Sequence, residues 1–220
     1  MLQPSTLKFL KDLSKNNNKP WFEDHRKQFE SAKADLAEMV TFTIKHFETF
    51  DKPIAALETK NCLFRINRDV RFSKDKTPYK NNLAAYFNKH GKKGIGAGYY
   101  LHIQPGKSFV AGGIWMPEPN VLGKIRQEID YNLDEWEKMF RSKNFKNNFP
   151  NGLETDGSLS RPPKGYSHDN PGVQYLKMKN FIVSCPIDDE QIINKNFIKL
   201  LITKFKAMKP LLDFLNKAID

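Results

Sequence analysis

Residues 65–80, RINRDVRFSKDKTPYK, gather three arginines, three lysines, two aspartates and a tyrosine into sixteen positions. Arginine carries a planar fork of donors that fits a phosphate or carboxylate at two points, and lysine adds a mobile point charge. The composition is that of an anion-binding site. Residues 62–73 alternate: Cys62, Phe64, Ile66, Val70 and Phe72 make an apolar face interrupted by Arg68, and the odd positions from Arg65 onward are polar. That alternation predicts a strand, with Arg65, Asn67, Asp69 and Arg71 projecting from one face about 6.5–7 Å apart. Asp69, between two arginines, would accept from one or both and hold their forks in place. Past Ser73 the chain leaves the strand: Ser73 and Asp75 suit nearby backbone amides, Thr77-Pro78 stays extended, and Tyr79 offers a ring or a hydroxyl. The expected anion-binding set is Arg65, Arg68, Arg71, Lys74, Lys76, Tyr79 and Lys80, supported by Asn67 and Asp69, on a cationic loop at the end of a rigid strand.

The same residues also admit a structural reading. Arg68, on the apolar face, pairs most simply with a buried carboxylate or backbone carbonyls, and Arg65, Asp69 and Arg71 can form a surface ladder of little energetic weight. Outside the segment, His102 is expected on the polar face of a hairpin beside Tyr100 and Gln104, where an imidazole can serve as general acid or base. Trp115, close to Gly112-Gly113, either flanks a pocket or fills the core, and the core is the simpler expectation. Lys164, in the stiff stretch Pro162-Pro163-Lys164-Gly165-Tyr166, either covers the site or crosses the surface. His25, His46, His90, His102 and His168 lack metal-ligand spacing, so no metal is expected. Residues 91–98, GKKGIGAG, imitate a phosphate loop but lack its GK[ST] ending and precede a strand rather than a helix, which excludes that motif.

The elements that must hold these residues follow from periodicity. Ser5 precedes TLKFLKDL and caps a short helix with Leu7, Leu10 and Leu13 on one face, which Asn16-Asn17-Asn18 ends. Pro20 opens a second helix whose apolar line, Phe22, Phe29, Leu36, Met39/Val40, Phe47 and Phe50, spans roughly eight turns, with Trp21 stapling its start. Strands are expected over 62–73, 83–87, 97–104 and 108–116, the last two joined by Gln104-Pro105-Gly106-Lys107 with Pro and Gly where a type II turn places them. Gly112-Gly113 predicts a bulge or a close backbone approach. Helices over 121–129 and 133–140, a surface loop over 151–172, a buried strand over 181–187 and a helical segment over 194–219 broken near Pro210 complete the chain. With strands in the middle and helices at both ends, the expected fold is α+β: a single domain, 1–220, with a central, mainly antiparallel sheet and the N- and C-terminal helices packed on it.

The chain has 220 residues and a formal charge of +11, and its 39% hydrophobic residues, including 17 Phe, suffice for a core, which excludes a disordered chain. No stretch approaches the ~20 apolar residues of a membrane span, and Lys8 and Lys11 interrupt the opening segment where a signal peptide needs an apolar core. A cytoplasmic location is therefore expected. Cys62 and Cys185 sit in apolar runs and are expected as reduced, buried thiols. The charge is concentrated: residues 60–93 carry ten Lys/Arg against two acids, a net of +8, and the remaining 186 residues hold only +3. Three of the seven arginines fall between Arg65 and Arg71. Such clustering points to one local site rather than to a generally basic surface.

Five stretches, FLKDLSKNNNKPWFEDHRKQFE, FRINRDVRFSKDKTPYKNNLAAYF, GYYLHIQPGKSFVAGGIWMPEPNVLGKIRQEI, RPPKGYSHDNP and KPLLDFLNKAI, resemble the uncharacterised proteins grouped as domain of unknown function 2461. The likeness covers nearly the whole chain; RINRDVRFSKDKTPYK is its most specific part, and KNNFPNGLETDGSLS departs from the pattern. The resemblance implies a widespread cytosolic family without an established activity, so function is read from the residues themselves. They suggest an anion- or phosphate-binding module built on residues 65–80, with an anionic small molecule or other phosphate-bearing ligand as partner, nucleic acid being one such ligand, and with no cofactor and no membrane. The alternative is an enzyme acting on a small anionic or phosphorylated substrate, with Asp69 or His102 as acid or base.

Overall fold

Apolar residues recurring every three or four positions make the first quarter of the chain helical. In the computed structural model, which describes residues 1–220, α1 (Pro4–Lys15), α2 (Lys19–Asp24) and α3 (Arg26–Phe47) are followed by two single turns, α4 (Lys52–Ala55) and α5 (Thr59–Cys62). Alternating segments then form β1 (Leu83–Phe87), β2 (Gly98–Ile103) and β3 (Ser108–Ile114). After α6 (Pro119–Tyr131), α7 (Leu133–Arg141), α8 (Lys143–Asn148) and α9 (Val173–Leu176) come β4 (Phe181–Ile187), α10 (Asp189–Ile192) and α11 (Phe197–Ile219). The strands make one four-stranded antiparallel sheet in the order β1-β2-β3-β4, so the fold is α+β. Packing groups the residues into two compact units. The first comprises Met1–Gly94, Tyr100–Val110 and Pro186–Thr203, and the second comprises Ile95–Tyr99, Ala111–Cys185 and Lys204–Asp220.

In the first unit the three consecutive asparagines have separate roles. Asn16 is the C-cap of α1, Asn18 caps α2 by accepting from the Trp21 N–H at 3.0 Å, and Asn17 reaches the loop described below. Gln3, not Ser5, is the N-cap residue of α1. The helix begins at Pro4, and Asp35 of α3 accepts from the Gln3 N–H at 2.8 Å and from Thr6 Oγ1 at 2.5 Å. A carboxylate from a packed helix anchors the first turn in place of a local serine. The expected eight-turn helix breaks at His25, whose ring stacks on Trp21 at 4.0 Å and donates from Nδ1 to the Trp21 carbonyl at 2.8 Å. Phe22 and Phe29 still meet across the break at 5.0 Å, which is why their line reads as unbroken in sequence. The core of this unit runs from Phe9, Phe22 and Phe29 to Phe47, which lies 5.4 Å from Phe87 of β1. The β2–β3 hairpin closes as predicted, with Gly106 at φ +70 and the Lys107 N–H donating to the Gln104 carbonyl at 2.8 Å.

In the second unit Trp136 is fully buried among Phe140, Tyr175, Phe181 and Phe214. Gly113, at φ +128, meets β4 so closely that a Cβ there would stand 1.8 Å from the Phe181 carbonyl oxygen, the close approach that the glycine pair predicts. Helix α11 does not break at Pro210. Phe205, Met208, Leu211, Leu212 and Leu215 are buried on both sides of the proline. At about 1.5–3 kcal/mol for each large side chain, their burial outweighs the ~3 kcal/mol that an interior proline costs.

Candidate anion-binding loop

Residues 62–73 do not form the regular strand that their alternation predicts. Two isolated antiparallel bridges form instead, Leu63 with Ala85 of β1 and Asn67 with Tyr79. The Phe64 N–H donates to the Ala84 carbonyl at 3.1 Å, Lys80 to Ile66 at 2.8 Å and Arg68 to Pro78 at 2.9 Å. The segment is thus a long irregular hairpin folded back on itself at the edge of β1. Its alternating apolar set buries only Cys62 and Ile66, while Phe64 is 36% and Phe72 94% exposed, so too little apolar area is buried to hold a regular ladder. Asn17 pins the returning arm: Nδ2 donates to the Tyr79 carbonyl at 2.8 Å and to Asn81 Oδ1 at 2.9 Å, and Oδ1 accepts from the Tyr79 N–H at 3.0 Å. The Tyr79 ring, expected to face a ligand, is only 6% exposed and stacks on Phe22 at 3.9 Å. It anchors the loop to the core because Asn17 holds its backbone on both sides.

Within the loop most of the polar groups consume one another. Arg68 Nη1 donates to Asp75 Oδ2 at 2.6 Å, to the Thr77 carbonyl at 3.1 Å and to Thr77 Oγ1, and Nη2 reaches Ser73 Oγ at 3.3 Å. Arg68 is thus paired with an exposed carboxylate, not the buried one expected, and with a backbone carbonyl. The Thr77 amide and hydroxyl, then Arg68, hold the Asp75 carboxyl below the ordinary range. Asp69 takes Arg71 at two points, 3.0 Å from Nε and 2.7 Å from Nη2, and this bonding lowers its pKa. Of the two alternatives, it accepts from one arginine rather than from both. Lys76 Nζ donates to the Val70 carbonyl at 3.0 Å, and Asn67 contributes its backbone bridge to Tyr79.

Four cations of the loop, Arg65, Lys74, Lys76 and Lys80, have no carboxylate partner. Lys80 is half-buried; burial first, and then the charge of Arg65, lowers its pKa. Its Nζ lies over the Phe64 ring, 5.4 Å from the centroid, and that ring is 6.2 Å from Tyr100. The Tyr100 hydroxyl donates to His102 Nδ1 at 3.0 Å, His102 Nε2 donates to Gln104 Oε1 at 3.0 Å, and the imidazole stacks on Phe109 at 4.7 Å. His102 therefore sits beside Tyr100 and Gln104 as expected, and a chain of contacts runs from it through Tyr100 and Phe64 to Lys80. Phe64, Phe109 and Asn17 join the site from outside the expected set of site residues. Hairpin register places Phe109 near His102, but nothing local marks Asn17 or the Phe64–Tyr100 contact. A cavity of about 290 Å³ opens beside the hairpin turn, lined by Lys11, Ser14, Asn81, Gln104 and Asp189 among others.

The remaining expected residues belong to the second unit. Trp115 is 63% exposed, not a core tryptophan: β3 ends at Ile114, and the next turn is fastened by the Met116 N–H to Asn180 Oδ1 at 2.7 Å with Met116 at φ +44, leaving the indole outside. Lys164 is exposed on its loop. In the first unit Cys62 is a free, buried thiol that burial pushes up to about 11, and in the second Cys185 is half-buried rather than buried. No helix is long and apolar enough to cross a membrane.

No curated protein and no solved structure matches the chain. Residues 5–214 match the family model described as "Conserved hypothetical protein (DUF2461)", and the chain, aligned over nearly all of its length, belongs to that family.

Proposed function

We propose that the protein is an anion-binding module whose ligand carries phosphate groups, held first by Arg65 and Lys80 and then by Lys74 and Lys76. One observation carries this reading: half-buried Lys80, its Nζ over the Phe64 ring, and Arg65 on the same hairpin both lack a carboxylate partner, and burial together with the charge of Arg65 disfavours the charged form of Lys80. Holding two like charges together on a partly dry surface costs free energy that a bound anion offsets. Arg68 and Arg71 stand in supporting positions, since Asp75 and Asp69 already occupy their donors. The enzyme alternative draws on the fact that Gln104, the acceptor for His102, also lines the 290 Å³ cavity. It is weaker, because both imidazole nitrogens and both Asp69 oxygens are already engaged.

Thermal denaturation with added tripolyphosphate tests the proposal. The wild type is expected to gain stability, by about 2.7 kcal/mol at a hundredfold excess over Kd. Arg65→Ala and Lys80→Ala should each remove most of that gain, and Arg71→Ala should keep it. A wild type that tripolyphosphate does not stabilise, or an Arg65→Ala variant that responds as the wild type does, would refute the assignment.

A further inference from the structure

The loop presents one feature that a small phosphate ester would leave unused. Phe72 is 94% exposed, with the Arg71 guanidinium 5.7 Å from its ring centroid, and Phe64 is 36% exposed under Lys80. Two aromatic rings, each with a cation over one face, thus share one hairpin with four cations that lack carboxylate partners. We propose that the loop binds single-stranded nucleic acid, with a base stacked on Phe72 and backbone phosphates held by Arg65, Lys74, Lys76 and Lys80; this rests on the anion-binding reading above. Every base offers a π-face, and aromatic rings beside a cationic track are the way proteins hold single strands without reading sequence. A duplex hides those faces, so the single strand is the preferred form. The surface of an anionic bilayer would attract the same charges, but Phe72 has Arg71, Ser73 and Lys74 as its neighbours in the chain, which leaves an apolar wedge only one ring deep.

Binding of fluorescein-labelled dT15 and U15, followed by anisotropy on the full chain, tests the proposal alongside the tripolyphosphate shift. Phe72→Ala should weaken oligonucleotide binding roughly five- to 150-fold and leave the tripolyphosphate shift intact, and Phe72→Trp should restore binding. Neutralising four phosphates predicts that log K falls against log salt with a slope of about −3. Oligonucleotide binding unchanged in Phe72→Ala, or a duplex bound as tightly as the single strand, overturns the stacking proposal. So does a tripolyphosphate response with no oligonucleotide binding, which leaves a small anion as the ligand. Phe72-dependent sedimentation with phosphatidylserine vesicles in the absence of oligonucleotide binding assigns the loop to a membrane surface instead. Silence toward both tripolyphosphate and oligonucleotides overturns this proposal together with the reading beneath it.

Discussion

The surroundings of His102 disfavour its charged form. Burial against Phe109 removes water from the imidazolium, and the amide oxygen of Gln104 only partly offsets that loss, so the pKa falls below the ordinary histidine value. The folded protein then binds a proton less readily than the unfolded chain, whose histidine titrates near pH 6.5. The contribution of His102 to stability is fully present above about pH 6.5 and is lost as pH falls from there toward the lower folded pKa. Urea denaturation at pH 5 and pH 8 should therefore show a smaller pH difference in His102→Gln than in the wild type; an equal difference would mean that folding does not shift the titration of the imidazole. At the same scale, Arg68 and Arg71, on opposite faces of the alternating pattern, also differ in what they hold. Arg68 joins Ser73, Asp75 and Thr77 across the loop, whereas Arg71 clasps a carboxylate two residues away.

Among the elements, the loop is held by the linker between α1 and α2 as well as by its own residues. Asn17 supplies three hydrogen bonds of 2.8–3.0 Å to Tyr79 and Asn81, and the Tyr79 ring then seats on Phe22. Removing the side chain leaves the Tyr79 amide and carbonyl without these partners, at a cost of about 1–3 kcal/mol. Asn17→Ala should lower the unfolding free energy by that amount in urea denaturation and weaken the tripolyphosphate shift as the returning arm loosens. Asn17→Asp should do no better, because it sets a carboxylate against the Tyr79 carbonyl where a donor is needed. Wild-type behaviour in Asn17→Asp would show that the loop is held by Phe22 and Tyr79 alone.

For the molecule as a whole, β2, β3, β4 and α11 each contribute residues to both compact units. Elements shared in this way should melt together, so calorimetry should give one transition whose calorimetric and van't Hoff enthalpies agree; two separated transitions would show that the units are independent domains. Helices α1, α3, α6 and α7, the β2–β3 hairpin and β4 could be read from the sequence because their periods are local properties of side chains that all face one core. The breaks at His25 and the continuity through Pro210 were not legible, since each depends on what packs against the helix. By its residues alone the chain determined the α+β class and the concentration of charge between Lys60 and Lys93. Only the tertiary structure decided which of those charges are spent on one another, and it turned Tyr79 inward and Phe72 outward. The physical reason is that periodicity acts over a few residues, whereas the pairing of a charge depends on groups brought near it by folding, as Asn17 meets Tyr79 across sixty-two positions.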